Sequence, residues 1–224
     1  MNLIHTLYQP PGTGPHPTIL TLHGRGANAF DLLGLAPYLC GGQFLIICPQ
    51  APLEIPIGPE QMGYAWYNAS RGGAPDTDGM VESLEALIIF LADCLKQYPI
   101  DRQRLAVLGF SQGGVMAYSL ALTDPKRFAG LAALSTWLPR ELTPRLNISD
   151  HVQSLPTIVQ HGTNDPQIEV GRARDSVIRL RALKVPLTFK EYAMGHEIRP
   201  QGLFDLSAWL EEKVRATGRS PLQE

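Results

Sequence analysis

What this 224-residue chain lacks narrows its function first. It has only three cysteines, Cys40, Cys48 and Cys94, which cannot all pair within one chain. Cys48 falls in an apolar run expected to be a strand and Cys94 on an apolar helical stripe. Both read as buried thiols of a reducing compartment, not as a disulfide framework. No apolar run reaches the roughly 18 residues of a membrane-crossing helix. The N-terminal stretch has no basic segment followed by an apolar core, so the expectation is a cytoplasmic protein without stable membrane insertion. Excess charge is missing too: a formal net charge of −2 leaves no electrostatic footprint for nucleic acid. No two histidines stand at His-x-x-x-His spacing, so a helical metal site is not indicated. Internal repeats and low-complexity linkers are absent, and the length suits one domain over residues 1–216. The polar segment 217–224 is expected to be a disordered tail.

What is present is an alternation of two periods. Strand-like runs are Leu3–Tyr8, Thr18–His23, Phe44–Cys48, Arg104–Gly109, Gly130–Ser135, Thr157–His161 and Thr188–Tyr192. Between them, apolar residues recur every three or four positions: Met80, Leu84, Leu87, Leu91 and Leu95; Val115–Leu122; Val170, Ala173, Val177 and Leu180; Leu203, Leu206, Leu210 and Val214. Strands alternating with helices predict an α/β fold, a mostly parallel sheet of about seven strands covered on both faces.

The stretch Gly109-Phe110-Ser111-Gln112-Gly113 places a serine between glycines directly after an apolar strand. That pattern predicts a sharp strand-to-helix turn that lifts the serine hydroxyl above the sheet. A pentapeptide alone is a weak signal, and a serine before a helix is commonly only an N-cap. A nucleophilic serine needs a histidine to take its proton and a carboxylate to hold that histidine. Three histidines follow Ser111, namely His151, His161 and His196, with seven carboxylates between Ser111 and His196. Asp165 stands out because it follows the strand Thr157–His161 in the loop Gly162-Thr163-Asn164-Asp165-Pro166, and His196 is the only histidine beyond it. Ser111, Asp165 and His196 thus fall just past three strands, on the sheet edge where ligands bind in open parallel sheets. For the oxyanion, the backbone N–H of Gln112 is one expected donor and that of Arg25, in His23-Gly24-Arg25-Gly26, the other. His23 is expected to brace that loop through its ring.

The segment Gln50–Thr77 lacks periodicity and carries apolar residues, which predicts a functional loop at the same edge. Leu53, Ile55 and Trp66, with Trp137, are expected to wall a substrate pocket. Exposed apolar positions on this loop could also support a homodimer.

Leu22-His23-Gly24-Arg25-Gly26, Gly109–Gly113, Leu134-Ser135-Thr136-Trp137-Leu138-Pro139, His161-Gly162-Thr163-Asn164-Asp165 and Gly195-His196 together resemble the phospholipase/carboxylesterase family of α/β-hydrolases. Acyl-protein thioesterases and small bacterial carboxylesterases belong to it. The resemblance implies an α/β-hydrolase fold without a separate lid domain and a serine hydrolase acting on small-molecule esters or thioesters. It implies no cofactor or metal. It assigns Ser111, Asp165 and His196 as triad and Arg25 and Gln112 as oxyanion donors. A carboxylesterase on short to medium acyl chains is the reading; lysophospholipase and acyl-protein thioesterase are the alternatives. Two departures bear on substrate: Arg25 stands where many relatives are apolar, and Trp66-Tyr67-Asn68 replaces Trp-Phe-Asp.

Three rivals remain. Gly24-Arg25-Gly26-Ala27-Asn28-Ala29 matches a loose dinucleotide fingerprint opening a helix, but no acidic residue follows at the next strand end. A zinc site from His161, Asp165 and His196 lacks ligand spacing. A non-catalytic binding protein could keep the fold, although no triad member is lost.

Overall fold

A computed structural model describes residues 3–69 and 75–216. Segment 217–224, expected to be a disordered tail, lies outside the described residues, as does 70–74 of the expected loop.

Seven strands form one sheet: β1 (His5–Tyr8), β2 (His16–Leu22), β3 (Leu45–Pro49), β6 (Ile100–Phe110), β7 (Gly130–Leu134), β8 (Thr157–Gly162) and β9 (Leu187–Tyr192). Their spatial order is β1-β3-β2-β6-β7-β8-β9. Only β1 runs antiparallel, against β3; each other neighbouring pair is parallel. Every residue of β2, β3, β7 and β8 is buried. That is the signature of parallel strands covered on both faces, and explains why they read as unbroken apolar runs.

Alternate side chains feed two cores. Leu20, Ile47, Val107 and Val159 point to the face covered by α1 (Thr77–Gln97), α2 (Gln112–Thr123) and α3 (Val170–Ala182). Ile19, Ile46, Ala106 and Ile158 point to the other face, under α4 (Pro200–Leu210) and the 3-10 turn Leu33–Tyr38. The period-2 geometry of a strand accounts for the split. The expected α1 stripe is buried at Met80, Leu84, Leu87 and Leu91. Asp76 caps the start of α1 by accepting from the Gly79 N–H at 3.1 Å.

Two expectations are corrected. The segment Gln50–Thr77 is not structureless: it holds an antiparallel hairpin, β4 (Leu53–Pro56) with β5 (Met62–Ala65). Its strands are only four residues long and interrupted by Pro and Gly, too short to show alternation. The glycine-rich loop after β2 opens no α-helix, as a dinucleotide site requires, but leads to the 3-10 turn Leu33–Tyr38.

The hairpin is not free-standing. The Gly26 N–H donates to Tyr64 O at 2.8 Å and the Tyr64 N–H to Ala27 O at 3.0 Å, tying β5 to the loop after β2. A Cβ at Gly63 would overlap the Gly26 carbonyl, so only glycine permits this approach.

The join of β6 to α2 is tighter still. A Cβ at Gly109 would strike the Gly113 carbonyl, and one at Gly113 the carbonyls of Leu22 and His23. These obstacles are backbone and cannot rotate away. Gly113→Ala should therefore destabilise the protein by about 3 kcal/mol or more, the upper end of overpacking costs, read as a loss of urea midpoint. A neutral result would contradict the close approach.

Candidate active site

Ser111 sits between β6 and α2 with φ 54° and ψ −120°, a region L-residues rarely occupy. Such a conformation costs on the order of 1–3 kcal/mol and persists only when its surroundings enforce it. Here the Ser111 N–H donates to Leu134 O at 3.0 Å and Ser111 O accepts from Thr136 Oγ1 at 2.7 Å. The Ser111 side chain makes no capping bond to α2. An N-cap role, the bland reading of this serine, is thereby removed.

Asp165 is buried in the loop after β8. Its Oδ1 accepts the N–H groups of Gln167 and Ile168, each at 2.9 Å, and its Oδ2 accepts from His196 Nδ1 at 2.8 Å. Burial pushes the carboxyl pKa up, but the Ile168 N–H, His196 and the Gln167 N–H outweigh it, leaving the pKa below its ordinary value. An ionised carboxylate only accepts, so His196 Nδ1 carries the proton and Nε2 is left as the acceptor. That is the tautomer a general base requires. The His196 ring lies 4.9 Å from that of Phe110, the residue before Ser111.

Sequence patterns alone did not reveal the part played by His161. Its Nε2 lies 2.8 Å from Ile168 O and 3.4 Å from Asp165 Oδ2, and its side chain is wholly buried. A carbonyl only accepts, so Nε2 bears the proton and braces the aspartate loop from below. Its Nδ1 has no partner among the described residues. His161 therefore lies against the same Asp165 oxygen as His196 while its proton goes to the Ile168 carbonyl, and its strand-end position is the only sequence signal it leaves.

The loop after β2 is braced by His23 as expected. Its Nε2 accepts from the Ala51 N–H at 3.1 Å, so Nδ1 donates to Gly24 O at 2.7 Å. The backbone N–H groups of Arg25 and Gln112 have no acceptor among the described residues. Both residues border one cleft with Ser111, about 290 Å³ in volume. The Gln112 side chain is occupied elsewhere: Oε1 accepts from the Trp66 N–H and Nε2 donates to Tyr67 O, both at 2.8 Å.

The expected pocket wall is partly corrected. Trp137 does line the cleft, but Leu53, Ile55 and Trp66 do not. Trp66 is 1% exposed, its indole N–H donating to His23 O at 2.9 Å and its carbonyl accepting from Ser83. It supports the loop from beneath because its N–H has found a buried acceptor. Leu53 and Ile55 are half-buried on β4. The lining comes instead from Tyr67, Met80, Ile168 and Arg172. Asn68, one of the departures from the family pattern, donates through its backbone and side-chain N–H groups to Asp76 at 2.9 and 3.0 Å. An aspartate there would set two carboxylates against each other.

A model of the family described as phospholipase/carboxylesterase matches residues 5–214. The chain belongs to the phospholipase/carboxylesterase family. An acyl-protein thioesterase 1 from Mycosarcoma maydis is 28% identical, over 96% of this chain and all of that protein. Among solved structures, the chain is similar to acyl-protein thioesterase 2 of Zea mays, with TM-score 0.75 and 26% identity over 93% of this chain and 98% of that one. It shares its fold with a Bacillus cereus carboxylesterase, at TM-score 0.79 and 20% identity over 94% of each chain.

Two predictions follow from these bonds. Asp165→Asn keeps the shape but lets Nδ1 accept, which reverses the tautomer. It should lower kcat by about 10⁴ with KM little changed; a loss under tenfold would contradict the pairing. Burial also lowers the pKa of His23 and His161, so both stay neutral when folded. Below about pH 6.5 the unfolded chain takes up protons that the folded chain refuses. Stability is then fully present above that pH and falls as pH drops towards the folded values, by about 1.4 kcal/mol per unit per histidine. Tm should decline from pH 7 to 5, and a flat profile would count against buried neutral rings.

Proposed function

We propose that Ser111, Asp165 and His196 hydrolyse carboxylic esters and thioesters through an acyl-serine intermediate. The observation that carries this reading is the uncapped, strained Ser111, whose chain neighbour Phe110 packs on the ring of His196, together with an Asp165–His196 pair already in the proton-accepting tautomer. His196 Nε2 takes the Ser111 proton as Oγ attacks the carbonyl carbon. The oxyanion is received by the Arg25 and Gln112 N–H groups, the latter at the positive end of α2. His196 then protonates the departing alcohol or thiol. A water, deprotonated by the same ring, cleaves the acyl-Ser111 bond and releases the acid.

The modest volume of the cleft favours short to medium acyl chains, hence a carboxylesterase. A thioesterase is the second reading, favoured by the relative named acyl-protein thioesterase 1. Among the described residues no helix is long and apolar enough to cross a membrane, and all three cysteines are free thiols. A reducing, cytoplasmic setting suits free thiols.

The test is hydrolysis of 4-nitrophenyl esters from acetate to palmitate, with Ser111→Ala and His196→Ala. Each variant should lose about 10⁴–10⁶ in kcat, and the double variant little more, because the residues act as one unit. An optimum at long chains would favour the thioesterase reading. Unchanged activity in Ser111→Ala would refute the mechanism.

A further inference from the structure

The cleft at Ser111 holds two guanidinium groups that the hydrolytic chemistry does not use. Arg25 projects from the loop after β2 and Arg172 from the first turn of α3, and both line the cleft. Neither forms an ion pair among the described residues, whereas Arg140, Arg174 and Arg179 nearby each hold a carboxylate. Among the described residues the Arg25 side chain donates only to the Tyr67 carbonyl, at 3.4 Å. Arg172 stands over Trp137, its Cζ 4.0 Å from the ring centroid. A cation–π contact of that kind holds a guanidinium in place while leaving its charge open to an anion.

Tyr67 also borders this cleft, and its buried hydroxyl has no partner among the described residues. Burial raises its pKa, and Arg172 and Arg25 are the two charges that oppose the rise. Both cations therefore lie near Tyr67, and Arg25 touches it directly through its carbonyl. Among the described residues Glu141 is the one carboxylate that lines this cleft, and it pairs with neither arginine. Among those residues the guanidinium groups outnumber the carboxylate, a balance suited to an anion.

We propose that Arg25 and Arg172 form an anion-recognition site that selects esters or thioesters carrying a carboxylate at a distance from the reacting carbonyl, on the acyl chain or on the leaving group. This rests on the reading of Ser111 as nucleophile. An apolar cleft penalises a carboxylate for its lost hydration. The Arg172 and Arg25 guanidinium groups replace that hydration with charge-assisted hydrogen bonds.

The experiment compares 4-nitrophenyl hydrogen adipate with 4-nitrophenyl hexanoate, equal in chain length and differing by one carboxylate. A second pair, 4-acetoxybenzoate and 4-acetoxybenzamide, puts the charge on the leaving group. The wild-type kcat/KM ratio of anionic to neutral ester should be at least one in one of the two pairs, which locates the site on the acyl or leaving-group side. That ratio should fall as salt rises from about 50 to 500 mM. Arg172→Gln should lower it about tenfold, and Glu141→Gln should raise it. A ratio well below one in both pairs, or one that Arg172→Gln leaves unmoved, overturns the anion site while hexanoate hydrolysis keeps the serine mechanism standing. Hydrolysis of no ester, or hydrolysis that survives Ser111→Ala, overturns the mechanism and the anion site with it.

Discussion

Everything at the active edge depends on two missing side chains. Without a Cβ at Gly109 or Gly113, the first turn of α2 settles directly on the backbone of β2 and β6. That contact forces the intervening residue into its rare conformation, and Leu134 at the end of β7 with Thr136 just beyond it hold it there. Strain kept at one residue by its surroundings is what frees the Ser111 hydroxyl from the capping role a serine otherwise takes before a helix. The same contact brings the start of α2 to the loop after β2, so that the proposed oxyanion donors border one space.

The rest of the site consists of braces for polar groups in a largely dry setting. His23 joins Gly24 to Ala51, and Trp66 ties its indole to the carbonyl of His23. Gln112 spends its whole side-chain amide on Trp66 and Tyr67. His161 secures Ile168, whose own N–H holds Asp165. Each buried donor or acceptor used in this way avoids the cost of going unpaired. The proposed triad is thereby positioned by neutral histidines and amides, with the Asp165 carboxylate as its one buried charge.

Strands β2, β3, β7 and β8 were legible because parallel strands covered on both faces are near-continuous apolar runs, and that survives in composition alone. Asp165 drew attention by its loop just past β8 and His196 as the single histidine beyond it, and the fold joins the two side chains at 2.8 Å. The hairpin β4–β5 was not, because four-residue strands broken by Pro56 and Gly63 carry no period. Trp66 was misplaced for a related reason. An aromatic residue in a loop suggests a pocket wall, and nothing local reveals that its N–H finds a buried carbonyl. Arg172 left no trace either. A basic residue on an amphipathic helix reads as a solvated face, and only the fold brings Trp137 beneath it.

The central claim is that Ser111 becomes acylated. Its most direct test is to react the protein with a fluorophosphonate and with a slowly deacylating ester, then map the adduct by peptide mass spectrometry. The account predicts one equivalent of label, on the peptide containing Ser111, with labelling slowed at least about a thousandfold in His196→Ala. Label on any other residue, or labelling at Ser111 that proceeds equally fast without His196, would contradict it.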